Sequence, residues 1–212
     1  MNFFKKYGFI IFIVFLIISL FNPIIANVAI ICMIGPIIMA ALGKGRYWCG
    51  NFCPRGSFFD NILKKVSTKK STPKFLKSPV FRLFMILLIF VMFFTGIIKN
   101  LGNASNIGMV FYRIIAITSL VAIFLGLFFS HRSWCTFCPM GTLSSLITLL
   151  KRKKLILKVD KSCLNCGICS KNCPMELNPS YYKNSYITDK DCIYCNECVN
   201  NCPKKLIKLN KN

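Results

Sequence analysis

The sequence predicts a membrane all-α domain of four transmembrane helices, arranged as two repeated hairpins, followed by a small α+β domain at the carboxyl terminus. Three observations predict it. The chain is 55% hydrophobic and carries only six acids, Asp60, Asp160, Glu176, Asp189, Asp191 and Glu197, far fewer charges than a soluble domain of this length holds. Four long apolar segments precede His131. Eight of the thirteen cysteines crowd into residues 163–202, near the end of the chain. The expected domains are residues 1–156 and 157–212.

The first segment runs from residue 3 or 8 to 21 and is broken by Asn22-Pro23. It is short for a span unless Lys5 and Lys6 snorkel, as long basic side chains do. Its basic start and apolar run resemble a signal peptide, but no small-residue cleavage site follows, so it is expected to stay as a helix. The second, third and fourth segments cover residues 24–42, 80–98 and 109–130, each with the ~20 residues a crossing helix needs. Gly35-Pro36 is expected to kink the second.

Charge sets the orientation. Lys44, Arg46, Arg55, Lys64, Lys65, Lys69, Lys70, Lys74 and Lys77 lie between the second and third segments, and Arg132 and Lys151 to Lys154 follow the fourth. The opposite side has only Lys99. The positive-inside rule therefore puts both termini and the middle loop in the cytoplasm. The net charge of +22 sits beside apolar runs and forms no face interleaved with aromatics. Anionic lipid headgroups are the expected partner, and nucleic acid is not.

The C-terminal cysteines form two copies of one pattern. Cys163, Cys166, Cys169 and Cys173-Pro174 are followed by Cys192, Cys195, Cys198 and Cys202-Pro203, each 29 residues after its counterpart. Both read C-x2-C-x2-C-x3-C-P, the bacterial run that holds [4Fe–4S] clusters. Three closely spaced thiolates wrap one side of a cubane, and the fourth ligates the other cluster. The expected ligand sets are Cys163, Cys166, Cys169 with Cys202, and Cys192, Cys195, Cys198 with Cys173. Zinc also uses C-x2-C pairs, but zinc ribbons lack the triple spacing with a C-P end. This part is thus expected to be a dicluster bacterial-type ferredoxin domain, facing a cytoplasm that keeps thiols reduced.

A second repeat follows the second and fourth segments. Arg46-Tyr47-Trp48-Cys49-Gly50-Asn51-Phe52-Cys53-Pro54 and Arg132-Ser133-Trp134-Cys135-Thr136-Phe137-Cys138-Pro139 share R-x-W-C, then F-C-P, and hold the only two tryptophans. The tryptophans are expected in the headgroup layer. Ser57 and Thr142 are expected to cap short amphipathic helices, about 58–66 and 143–150, lying along the membrane surface. Cys49, Cys53, Cys135 and Cys138 admit three readings: a third iron–sulfur cluster, a soft ion such as copper(I), or buried structural thiols.

With these motifs the chain resembles the NapH/NosR-type membrane polyferredoxins, a family that includes CcoG-like proteins. The resemblance covers nearly the whole chain. It is carried by Trp48, Cys49, Cys53 and Pro54, by Trp134, Cys135, Cys138 and Pro139, and by the ferredoxin run. It implies electron transfer at a prokaryotic inner membrane, between the quinone pool or cytoplasmic donors (a ferredoxin or a partner oxidoreductase subunit) and a respiratory or maturation system. The second C-P site departs from the family's three-residue spacing. The chain has no room for the outer flavin-binding domain of NosR, so that role is not implied. Copper reduction of the CcoG kind is the alternative the family offers.

The remaining residues narrow the chemistry. His131 is the sole histidine, so two axial histidines for a haem are excluded within this chain. No acid lies inside an apolar segment, which argues against a proton relay across the bilayer. A base for quinol oxidation would come from His131, Asp60 or a partner. Cys32 reads as a packing residue, and Arg82 and Arg113 as snorkelling ones. The leading expectation is an electron-transfer subunit rather than a complete enzyme. A copper-handling reductase and an iron–sulfur redox sensor are the competing readings.

Overall fold

The computed structural model describes residues 3–68, 70–150 and 155–211. Lys69 and the basic run 151–154, both used above for orientation, lie outside the described residues. Four helices are long and apolar enough to cross a membrane: Phe3–Phe21, Pro23–Lys44, Pro79–Lys99 and Ala104–Phe128. The first ends where Asn22-Pro23 intervenes. The Asn22 side chain then accepts from the Ile24 N–H, and Pro23 opens the second helix as a 3-10 stretch, Pro23–Ala29. That helix continues as Ile30–Met39, with Pro36 inside it, and ends through the wide turn Ala40–Lys44, where Gly43 takes φ 78°.

Caps explain where the expected bounds were off. Ser78 accepts from the Phe81 N–H and starts the third helix at Pro79. Asn103 accepts from the N–H groups of Ser105 and Asn106, so the fourth helix starts at Ala104, five residues before the apolar run suggests. The apolar side chains of the four helices point largely outward, with Phe21, Val80 and Leu120 among the most exposed. Such a surface is far beyond the apolar patch a soluble protein shows.

The two short helices depart from the sequence reading. Both begin at the proline of a C-P pair, one as Pro54–Phe58 continuing to Val66, the other as Pro139–Leu150. Neither Ser57 nor Thr142 is a cap. The Cys53 sulfur accepts from the Gly56 N–H instead, because a proline at the first helical position needs no partner and leaves the preceding residue as cap. Ser57 is buried and ties this helix to the first one, accepting from the Phe9 N–H and donating to the Lys5 carbonyl. Helix Pro139–Leu150 turns Ser144, Ser145 and Thr148 inward and Leu146, Leu149 and Leu150 outward.

The C-terminal ferredoxin domain closes with two antiparallel strands, Leu155–Val159 and Ile207–Lys211, paired from Leu155↔Lys211 to Val159↔Ile207. Leu157, Val159, Ile187, Tyr194 and Ile207 pack with Cys169 and Cys198 as its core. The duplication is written in the backbone as well as the cysteines. Short helices Ile168–Lys171 and Glu197–Asn200 stand 29 residues apart. So do three pairs with positive φ: Asn165 and Tyr194 (51° and 52°), Gly167 and Asn196 (75° and 62°), Glu176 and Lys205 (55° and 51°).

Three of the six acids fasten this domain to one end of the helical bundle. Asp191 accepts from Arg46, Arg82 and Ser145. Glu176 accepts from Lys77 and from the backbone and hydroxyl of Thr72. Glu197 meets Lys5 at 2.8 Å, and Lys64 stands 3.9 Å away. Arg82 is therefore a buried docking residue and does not snorkel. The first helix start, the middle loop and the ferredoxin domain all meet at this end.

Candidate metal centres

The eight ferredoxin cysteines sit on the loops just described. Cys173, Cys192, Cys195 and Cys198 line one small cavity with Pro174, Met175 and Ile193. Cys163 and Cys166 are near enough to Cys169 to raise its thiol, after burial, above its ordinary range. Cys163 and Cys202 pack on the core that Cys169 enters. The fourth cysteines behave alike: the Cys173 sulfur accepts from the Leu177 N–H and the Cys202 sulfur from the Leu206 N–H, both at 3.4 Å. Burial pushes Cys195 up to about 11 and Cys198 higher still, where Cys192, Cys195 and Cys173 add to the effect. Thiols crowded in this way release protons on binding a cationic core, which takes them as thiolates.

The membrane-side cysteines are brought together. Cys49, Cys53, Cys135 and Cys138 all line one cavity of about 290 Å3. Their unequal spacing is absorbed by the turn. Over Tyr47–Asn51 the chain makes a helical turn, and over Ser133–Thr136 a tighter 3-10 turn. In both, the second cysteine's N–H reaches the tryptophan carbonyl at 3.0 Å, Cys53 to Trp48 and Cys138 to Trp134. The extra residue thus widens one loop without moving its closing bond.

Two buried arginines, each three residues before the first cysteine of its motif, cross to the opposite motif. Arg46 donates to the Cys135 carbonyl at 2.6 Å and to Asp191 at 3.0 Å. Arg132 donates to the Cys49 carbonyl at 2.9 Å, stands 3.8 Å from the Cys135 sulfur, and grips both oxygens of Asp60 at 2.9 and 2.7 Å. Each guanidinium is 1% exposed. Burial alone would raise the Asp60 carboxyl, but Arg132 and His131 hold it well below the usual range. Burial lifts the Cys49 and Cys135 thiols, opposed by Arg46 and Arg132 respectively. Cys53 is driven furthest, by burial with Cys32 and Cys49 beside it.

The tryptophans do not turn their N–H groups to water. Trp134 is buried among Phe59, Leu63, Ala122 and Phe137, and Trp48 lies over Gly35, whose missing side chain makes room for the ring. Both indoles wall the cysteine cavity. Trp48 Nε1, Trp134 Nε1 and Arg46 Nε are buried N–H groups that meet no acceptor among the described residues. Buried donors are nearly always paired, so these three are exceptions, carried by residues that line the cavity. Cys32 lines the same cavity, which packing alone did not suggest. His131 faces Asp60 at 3.4 Å.

Among the described residues, no three His, Cys, Asp or Glu side chains converge as ligands of a single ion would. This holds for the eight ferredoxin cysteines too. A lone ion needs its sulfurs within ~2.3 Å, whereas a cubane spreads its thiolates over separate corners. In both places the donors are thiols, the donor type an iron–sulfur cluster takes.

The sequence reading names Arg46 and Arg132 only as motif and charge residues and Asp60 only as a candidate base, and it gives Asp191 no role. The signal for the arginines was present, since both R-x-W-C copies keep the basic residue three positions before the cysteine. The acids gave none, as their partners come from other segments.

The comparisons with known proteins agree on this chemistry. A model described as a 4Fe-4S binding domain matches residues 26–73 and again 112–156, and one described as a 4Fe-4S dicluster domain matches 162–207. Two uncharacterized proteins of Methanocaldococcus jannaschii are 26% and 27% identical over 157 and 150 residues, each covering 66% of this chain. YccM of Escherichia coli, a protein named for electron transport, is 35% identical over 60 residues, 28% of this chain and 16% of YccM. The chain spans 63%, 56% and 16% of these relatives, less than two thirds of each. No solved structure matches. The chain thus carries 4Fe–4S binding domains, the one at its carboxyl terminus being of the dicluster ferredoxin type.

Proposed function

We propose that the protein is a membrane electron relay of the NapH/NosR/CcoG polyferredoxin type, built from two repeated hairpins (1–156) and a dicluster domain (157–212). Both termini and the dicluster domain face the cytoplasm of a prokaryotic cell. In this reading Cys163, Cys166, Cys169 and Cys202 hold one [4Fe–4S] cluster, and Cys192, Cys195, Cys198 and Cys173 a second. Cys49, Cys53, Cys135 and Cys138 hold a third. When bound, such clusters supply one-electron carriers whose potentials depend on charge and hydrogen bonds to sulfur.

One observation carries the third site: four thiols from two distant turns line one cavity, with the buried guanidinium groups of Arg46 and Arg132 beside them. Two buried cations suit an anionic occupant. A thiolate-ligated cubane carries about −2 and offers sulfides to each donor. Copper(I) held by the same thiolates is also an anionic centre, so charge does not separate the two readings; the cubane adds bridging sulfides as further acceptors.

The chain also links the two regions. Asp191 adjoins Cys192 and accepts from Arg46, which donates to the Cys135 carbonyl. Asn51 donates to the Tyr194 carbonyl at 3.2 Å, and Gly50 lets the Ile193 carbonyl approach closer than a side chain would allow. The second cysteine loop is thus the one seated on the membrane-side turn. Away from the thiols the cavity runs between Phe15, Met33, Phe93 and Phe111, an apolar shaft suited to a lipophilic partner such as a quinone. A partner oxidoreductase or ferredoxin completes the path.

Iron and sulfide analysis with low-temperature electron resonance tests this. The anaerobic protein should hold about twelve irons per chain, and the Cys49→Ser, Cys135→Ser double variant about eight, with its ferredoxin signals unchanged. Eight irons in both would remove the third cluster. Tight copper(I) binding abolished by the same changes would install the alternative.

A further inference from the structure

The duplicated cysteine loop provides an internal control, because its two copies share a backbone but not an environment. In the second copy Ile193 is 1% exposed and its carbonyl presses on Gly50 of the bundle. Tyr194 beside it is equally buried. The equivalent residues of the first copy, Leu164 and Asn165, are in the open: Leu164 is 66% exposed, and Cys166 is exposed where Cys195 is not. The φ angles of the two loops agree to within a few degrees at Asn165 and Tyr194. The same knob therefore exists twice, once inserted and once presented, with an apolar tip between two cysteines of the cluster motif.

The surroundings of the presented knob are basic. Lys161 and Lys171 flank it and are exposed. Asp191, Glu176 and Glu197 face the bundle, whereas Asp160 is exposed beside Lys161 and Lys208 and offsets one of these charges. We propose that the loop around Leu164 docks a small acidic electron-carrier protein, as its duplicate docks the bundle. This rests on the relay reading above and assigns that relay its soluble partner. An encounter there exchanges one electron, the carrier's loss being the dicluster domain's gain, with no bond made or broken.

The test uses the full-length holoprotein in lipid nanodiscs and, as probe, a plant-type [2Fe–2S] ferredoxin, which is small and acidic. Affinity is measured by surface resonance at low and high salt, with iron counted on the same samples. Leu164→Glu is expected to weaken binding about tenfold or more, as removal of a central apolar anchor does. The charge reversals Lys161→Glu and Lys171→Glu should weaken it too, and wild-type binding should fall as salt rises. Leu209→Glu, an exposed apolar residue on the closing strand, should change nothing. A fully iron-loaded protein that ignores the probe, or binds it regardless of Leu164 and of salt, overturns the proposal. A wild-type chain that loads no iron overturns the relay reading itself, and this inference with it.

Discussion

The ferredoxin domain and the cysteine turns of the bundle gather their thiols in opposite ways. In the first, the thiols come from two local loops repeated at a fixed interval of 29, down to the positive-φ residues that shape them. In the second, two turns of unequal length close on the same tryptophan carbonyl bond, and the site exists only because distant segments meet. The first is held by local sequence. The second is held by arginines that each reach across to the other turn.

That contrast predicts unequal fragility, and Arg132→Ala is the sharpest way to expose it. The change leaves Asp60 buried without its bidentate partner, and removing one member of such a pair costs about 3–5 kcal/mol. Iron held at the membrane-side turns should be lost, while the resonance signals of the ferredoxin domain persist. Parallel loss of both sets of iron would show that the two regions are not independent.

How far each region was legible follows from the same contrast. The four apolar runs and the double C-P ferredoxin pattern depend on neighbours in sequence, so the four long helices and a 4Fe–4S dicluster domain were legible from residues alone. The fourth helix start was missed because Asn103 caps a polar turn that hydropathy cannot see. Trp48 and Trp134 were misplaced because composition describes a tryptophan's preference, whereas these two wall a cavity. Arg82 reads in sequence as a snorkelling residue because its partner, Asp191, lies 109 residues away. Nothing local could have paired them.

The docking acids give a smaller effect. Asp191→Asn removes the charge that Arg46 and Arg82 share, and should weaken seating of the domain by about 2 kcal/mol. The readout is faster hydrogen exchange at Asn51 and Tyr194. The pH response has a definite sign. Burial alone would raise the Asp191 and Glu176 carboxyls, but Arg82 and Arg46 for the one, and Lys77 and Thr72 for the other, hold both below their ordinary values. Their contribution is therefore complete above the ordinary carboxylate range and is lost only as pH falls through the lowered values. Protection should stay flat from about pH 8 to pH 5. A loss within that window would mean that a group other than these carboxylates governs seating.

The smallest effect isolates the orphan donors. Trp134→Phe keeps an apolar ring between Phe59 and Phe137 but deletes the buried Nε1–H. If that N–H donates to a sulfur in the cavity, it favours the more negative, reduced state. Its removal should then lower the midpoint potential of the membrane-side site by the equivalent of a fraction of a kcal/mol to about 1 kcal/mol. The ferredoxin potentials should not move, since the indole is far from those loops in the chain and packs on the bundle. Trp48→Phe should act in the same direction, because its indole is the counterpart in the other turn. A potential unmoved by both changes would mean that the indoles fill space only, leaving Arg46 as the sole donor of the three with an electrostatic role.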